Sequence, residues 1–368
     1  MVGIHVPTTG SIEADDLAAI VLGAATYACG GGGSLAEGHA FADELAGRMA
    51  DRTVSLVAVD ELPGEATVAV PMAFPRARRD TSVESAVASF RALGTRGGPP
   101  FHAVLPNSLG VVDLLTAFGV ALACGIPVVD AAGGARPSSR LSMTSWAAAG
   151  VRPGLMVVSD GGESVIVDTE SVAGADRTLR SLVEGETFAG PIGGAGWAML
   201  GHTARRTSIS AAVSSAWDLG TELLAARTDG VDPIDRAVAT FDGAVVIGRG
   251  PLDRVLVALE DHRDHVEVRV ASADGMLDVL ALDTYLEVRH GGRPIVGAPD
   301  LIMVVGADGT PHGPHDLAGD DLEGSEMAVV AVPVPAVFEA PIVLDTVADL
   351  RRRAGGETER VPFPEASA

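Results

Sequence analysis

The chain contains no lysine. That absence excludes a Schiff-base nucleophile, a pyridoxal phosphate anchor and the phosphate-reaching lysine of a P-loop, and leaves arginine as the only permanent side-chain cation. Cysteine is nearly absent too. Cys29 and Cys124, both in apolar surroundings, cannot build a disulfide framework and read as reduced thiols of a cytoplasmic protein. Aromatic residues make up only 4% of the chain, so its cores must be packed with Val, Leu, Ile and Ala. The longest apolar stretches, 17–29 and 111–124, are too short to span a bilayer and fit buried helices. The N-terminus lacks the basic region and apolar run of a secretory signal, so neither export nor a membrane partner is expected. Positive charge is scarce: 26 scattered arginines face 49 acidic residues, and a formal charge of −23 argues against a nucleic-acid partner.

Glycine, by contrast, is abundant and in one place consecutive. Gly30, Gly31, Gly32 and Gly33 lie between two segments with helical spacing, the first marked by Leu17, Ile20, Val21 and Ala24, the second by Ala40, Phe41, Leu45 and Met49. Such a run permits successive positive φ angles that turn several N–H groups toward one point, and Ser34 can cap the helix that follows. Amides so arranged favour an anion or a polarised carbonyl oxygen; a flexible linker is the competing account. A dinucleotide fingerprint is not met, because no strand precedes the glycines and their spacing is wrong. No nucleotide or pyridoxal phosphate cofactor is expected, and a divalent metal stays open.

At 368 residues the chain is long enough for two domains. The first half alternates strands near 53–59, 67–72, 102–105 and 126–130 with helices near 83–93 and 111–124, then forms a hairpin of 155–159 and 164–168. This alternation predicts an α/β layer with a largely parallel sheet. The glycine-rich stretch 190–196 reads as a connection into a second unit. There, helices near 208–227 and 233–241 precede short strands near 244–247, 254–259, 266–270, 276–282, 286–289, 301–305 and 327–333. The expected architecture is an N-terminal α/β layered domain, 1–170, followed by a helix-led, β-rich C-terminal domain, 171–368. The charged, proline-containing tail from Arg351 onward reads as frayed.

Asp130 ends the buried strand of residues 126–130 and is followed by a glycine-rich loop, the position at which α/β sheets hold ligands. It is a candidate catalytic carboxylate, with capping or pairing to Arg136 as the structural alternative. Asn107 and Ser108 end another short strand and offer a carboxamide and a hydroxyl beside a helix start, although Ser108 also suits an N-cap. Of the nine histidines, His202 is the catalytic candidate; the pairs His262/His265 and His312/His315 have no metal-site spacing and read as exposed loops. Cys29 is either a thiol activated by the following helix or a small buried packing residue.

With these segments in place the chain resembles the S-methyl thiohydantoin desulfurase-like family over almost its whole length. The resemblance rests on residues 15–28 running into Gly30–Gly33, on 59–63, on 125–131, on 159–162 and on 299–302. Departures occur where members carry Thr and Asp around the glycines, here Cys29 and Ser34, and where a glutamate before Asn107 and a second aspartate after Asp130 are missing. The resemblance implies a hydrolase-like enzyme acting on a small cyclic amide or thioamide, expected in an interdomain cleft, and the residues read above supply the candidate catalytic set Asp130, Asn107 and His202. Substrate binding then falls to Gly30, Gly31, Gly32, Gly33, Ser34, Cys29, Ser108 and Arg136. The alternatives are a divergent member that binds or otherwise transforms a small metabolite, and a non-catalytic assembly subunit. A small molecule is the expected partner, with a homo-oligomer open.

Overall fold

The computed structural model describes residues 4–28, 30–74, 81–97, 100–137, 140–260, 263–319 and 321–364; Cys29 and His262 lie outside them. In the first part of the chain the elements are β1 (Gly10–Ile12), α1 (Leu17–Tyr27), α2 (Leu35–Met49), β2 (Val54–Ala58), β3 (Thr67–Met72), α3 (Val83–Gly97), β4 (Ala103–Val104), α4 (Val111–Cys124), β5 (Val128–Ala132), α5 (Ser145–Ala148), β6 (Leu155–Ser159), β7 (Ser164–Asp168) and α6 (Val172–Glu184). Then follow β8 (Gly193–Leu200), α7 (Gly201–Thr207), β9 (Ile209–Ser210), α8 (Ala212–Asp229), α9 (Pro233–Thr240), β10 (Val245–Glu260), β11 (Arg263–Ser272), β12 (Gly275–Leu282), β13 (Thr284–His290), β14 (Arg293–Gly297), β15 (Leu301–Gly306), β16 (Pro311–His312), α10 (Pro314–Gly319), β17 (Glu326–Val332) and α11 (Pro341–Arg353). Among the described residues no helix is long and apolar enough to cross a membrane.

The chain divides into two compact units, an α/β unit up to Ala18 and from Ala36 to Ser215, and a second of Ala19–Leu35 and Ala216 onward. These units are not contiguous in sequence: residues 171–215 belong to the first, and Ala19–Leu35 to the second.

In the first unit the sheet order is β1-β2-β5-β4-β3-β8-β6-β7, with β9 added to β5. The central β2, β5, β4 and β3 are parallel, as the alternation of strands and helices requires, and β8, β6 and β7 continue the sheet antiparallel. The 190–196 stretch, expected as a connection, instead runs into a strand in the middle of this sheet. Its glycines are what allow this: a Cβ on Gly193 would lie 2.3 Å from the Ala86 amide nitrogen of α3, and one on Gly196 would lie 2.8 Å from Met156. Helix α4 is buried along Val111–Ala121 and stops at Gly125, whose φ of 67° closes it with a left-handed cap. Val57, Val68, Leu105, Val129, Trp146 and Trp197 belong to one apolar core.

The second unit is the expected β-rich domain, with antiparallel order β14-β13-β12-β11-β10-β17-β15-β16. Two strands expected separately, near 244–247 and 254–259, are one long β10. Pro251, which breaks the sequence pattern, sits where β10 changes partner from β17 to β11. The tail is not frayed where it is described. Arg351, on α11, is 1% exposed and bound to the fully buried Glu287, and its Nη1 donates to the Glu359 carbonyl at 2.7 Å.

Candidate functional site

Parallel strands β4 and β5 end side by side, and their following loops are stitched into one wall. Asn107 carbonyl oxygen accepts from the Gly133 and Gly134 amides at 3.1 and 3.0 Å, and the Leu109 amide donates to the Gly134 carbonyl at 3.2 Å. Close approach explains the glycines: a Cβ on Gly133 would lie 2.6 Å from the Trp146 ring, and one on Gly110 would lie 2.5 Å from the Pro137 ring. The Ser145 amide donates to the Gly133 carbonyl at 2.7 Å, fixing α5 against the same loop. The resulting pocket, about 250 Å³ counted out to its mouth, is lined by Asn107, Ser108, Arg136, Arg140, Met143 and Thr144 among others.

Three of the residues singled out in the sequence, Asn107, Ser108 and Arg136, therefore meet at one place. Behind them lies a fourth that sequence reasoning missed. Asp113, in the first turn of α4, accepts from the Asn107 Nδ2 at 3.2 Å and, through the same oxygen, from the Ser108 hydroxyl. Burial pushes its carboxyl up to about 6, against the hydrogen bonds from Ser108, Asn107 and the Ala73 amide. Its signal was present: Asp113 is the one charged residue in an otherwise apolar 14-residue helix. Because a carboxylate only accepts, it draws the amide end of Asn107 toward itself, and Asn107 Oδ1 is left buried with no hydrogen-bond partner. Asn107 is also the only asparagine in a chain without glutamine, so it is the sole carboxamide side chain of the molecule.

Further along the loop after β5, Arg136 is 5% exposed and also lines the pocket. Arg140 faces Asp176 at 3.6 Å, and burial raises the Asp176 carboxyl above its usual range. Two guanidinium groups bring donors suited to carbonyl or anionic oxygen, while the Asn107 oxygen is an acceptor, a combination poor for a cation. Among the described residues no three His, Cys, Asp or Glu side chains converge.

The other candidates are placed elsewhere or otherwise engaged. Asp130 does end β5, but its carboxylate accepts from the Val213 and Ser214 amides at 2.8 and 3.1 Å and from the Ser214 hydroxyl at 2.7 Å. It caps the start of α8, the structural alternative weighed for it, because a helix N-terminus supplies unpaired amides that a carboxylate satisfies. His202, on α7, is exposed and hydrogen-bonded through Nδ1 to the Gly64 carbonyl at 3.1 Å. Leu200 pairs with Thr67 at the start of β3, so His202 lies at the amino end of the parallel strands, away from the Asn107 pocket.

In the second unit, Gly30, Gly32 and Gly33 have φ of 84°, 70° and 99°, and the loop does join two helices as expected. The Gly31 amide is spent on the Ala28 carbonyl at 2.9 Å. Gly30 is pressed against Gly313 and Pro314, where a Cβ would lie 2.1 Å from the proline ring, so packing is what the loop visibly does. Ser34 immediately precedes α2. His315 is not in an exposed loop: it is half-buried on α10, beside that contact, with Nε2 sealed from solvent.

Holding Asp113 ionised in the folded protein costs free energy, since its folded value stands above the ordinary 3.8. The cost appears as pH rises through the unfolded value and is complete above about 6, reaching at most about 3 kcal/mol. Asp113→Asn is therefore expected to stabilise the protein at pH 8, with the gain shrinking toward pH 4. Urea unfolding at the two pH values measures it, and a uniform loss of stability at both would contradict the assignment.

A two-domain α/β and antiparallel-β fold, with a pocket at parallel strand ends, is thus the class of protein defined. Family models described as S-Me-THD-like, N-terminal domain and S-Me-THD-like, C-terminal domain match residues 15–169 and 170–349, and the chain belongs to this S-methyl thiohydantoin desulfurase-like family. A crystal structure of a protein from Chromobacterium violaceum is similar in fold, at a TM-score of 0.78 and 23% identity over 96% of this chain and 99% of that one. No curated protein matches.

Proposed function

We propose that the pocket beyond β4 and β5 holds a small cyclic amide or thioamide, of hydantoin or S-methyl thiohydantoin type, and that the protein is a hydrolase-like enzyme acting on that ring. The observation carrying this reading is Asn107: the molecule's only carboxamide is built into the pocket wall with its acceptor buried and unpaired. A buried polar atom of this kind calls for a donor, and a ring N–H supplies one. The neighbouring ring carbonyl or thiocarbonyl then faces guanidinium. Attack of water on the ring carbon places negative charge on its oxygen or sulfur substituent, and the permanent charge of Arg136 favours that state over the neutral ring. Family membership supports the same substrate class.

Purified protein incubated with hydantoin and with S-methyl thiohydantoin is expected to release a ring-opened acid or a thiol. Asn107→Ala is expected to lower kcat/KM at least about tenfold, the cost of an unmade buried hydrogen bond. Neither turnover nor a thermal shift with either ring would overturn the reading. The capping role of Asp130 favours a second one, a divergent member that binds such a ring without hydrolysing it. Calorimetric binding with no thiol and no ring-opened product distinguishes the two.

A further inference from the structure

Ser108 and Asp113 stand one behind the other. Ser108 forms part of the pocket wall, and Asp113, behind it, is among the buried residues and shares one carboxylate oxygen between the Ser108 hydroxyl and the Asn107 amide. We infer that Asp113 is a positioning residue that sets whether Ser108 accepts or donates toward the ligand. With the carboxylate ionised, the serine hydrogen points inward to Asp113 and the oxygen offers its lone pairs to the pocket. With the carboxyl protonated, the acid donates to Ser108 Oγ and the serine hydrogen turns toward the ligand.

This deepens the ring-amide reading and rests on it. In the ionised state Ser108 Oγ and Asn107 Oδ1, on adjacent residues, are both acceptors, and the Arg136 guanidinium lines the same pocket. Two acceptors and a guanidinium in one pocket match in kind the two N–H groups and the C=O of a cyclic ureide. Protonation of Asp113 spoils one of the two acceptors, so ureide binding weakens as the carboxylate is lost.

The switch lies in a usable range, because burial raises the Asp113 carboxyl to about 6. Other ionisable groups around this wall are Arg136, Arg140 and Asp176. The elements packed on α4 contribute Glu84, Arg91 and Arg96 of α3 and Asp130 of β5. Glu84 is paired with Arg48, Arg91 donates to the Ala123 carbonyl at the far end of α4, and Asp130 caps α8. Asp176 is the one whose own titration needs separating, since burial raises it as well.

Hydantoin is the probe, titrated calorimetrically at pH 7 and pH 5. The wild-type protein is expected to bind it about tenfold more weakly at pH 5, following the ionised fraction of a group near 6. Ser108→Ala and Asp113→Asn are expected to show no such difference, and Asp176→Asn to keep it. Equal wild-type affinity at the two pH values, or a tenfold difference retained in Ser108→Ala, overturns the inference. A ligand-free readout separates it from the substrate reading. In aspartate-labelled protein, the carboxyl carbon resonance missing from Asp113→Asn is expected to titrate near 6, and Ser108→Ala to raise its midpoint by removing a donor to the ionised form. If hydantoin fails to bind at any pH, the substrate reading falls, while the relay stands or falls on that midpoint: unmoved by Ser108→Ala, it is refuted.

Discussion

Replacing Glu287 by glutamine is expected to cost about 3–5 kcal/mol of stability and to lower Tm by about 10 °C. The side chain is fully buried on β13 and accepts from Arg351 Nε at 3.0 Å, Arg289 Nε at 2.7 Å and the Glu357 amide at 2.9 Å. Arg351 is itself 1% exposed. Removing the carboxylate's charge leaves a guanidinium out of water without its counter-ion, which is far costlier than the net worth of the intact pair. The control follows from the same asymmetry. A Glu287→Leu, Arg351→Leu double variant, removing both charges, is expected to recover much of the loss, and a double-mutant cycle by urea denaturation measures the coupling. If Glu287→Gln unfolds within 0.5 kcal/mol of the wild type, a threshold of about the size seen at ordinary surface positions, the buried pair does not hold the tail as described.

The second large effect concerns two glycines on facing helices of the second unit. A Cβ on Gly23 of α1 would lie 1.8 Å from the Ala216 carbonyl oxygen, and one on Gly220 of α8 would lie 1.7 Å from the Ala19 carbonyl oxygen. The helix backbones touch there, and neither neighbour is a side chain that can swing aside. Gly220→Ala is therefore expected to cost about 3 kcal/mol, at the upper end of overpacking penalties despite the gain in helix propensity. Because one substitution already forces the helices apart, adding Gly23→Ala is expected to cost much less than it does alone. Additive losses by urea denaturation would mean that the two contacts are independent, contrary to the close crossing.

Much of this fold was readable from local pattern. The strand Thr67–Met72 and the helix Val111–Cys124 occupy the residues their hydrophobic spacing predicts. What escaped was decided by partners distant in the chain. Residues 190–196 look like a linker because glycine carries no pattern, and only the approach of α3 explains a strand there. Arg351 reads as part of a solvated tail until Glu287, on another element, appears beside it. At the candidate site, Asn107, Ser108 and Arg136 were legible as polar groups at strand ends. Asp113 was hidden by its apolar helix, and the cap that Asp130 provides depends on α8, which begins more than eighty residues later.

The contact between α1 and α8 also has a consequence for biosynthesis. Helix α1 is made well before α8, and its apolar surface finds its mate only once the chain has grown beyond Ala212. At elongation rates of about 5–20 residues per second, the interval is roughly 10–40 s. During it, Leu17–Tyr27 is an orphaned greasy segment in a crowded cell, a natural client for holding chaperones. Completion of the second unit is thereby deferred until α8 has been synthesised.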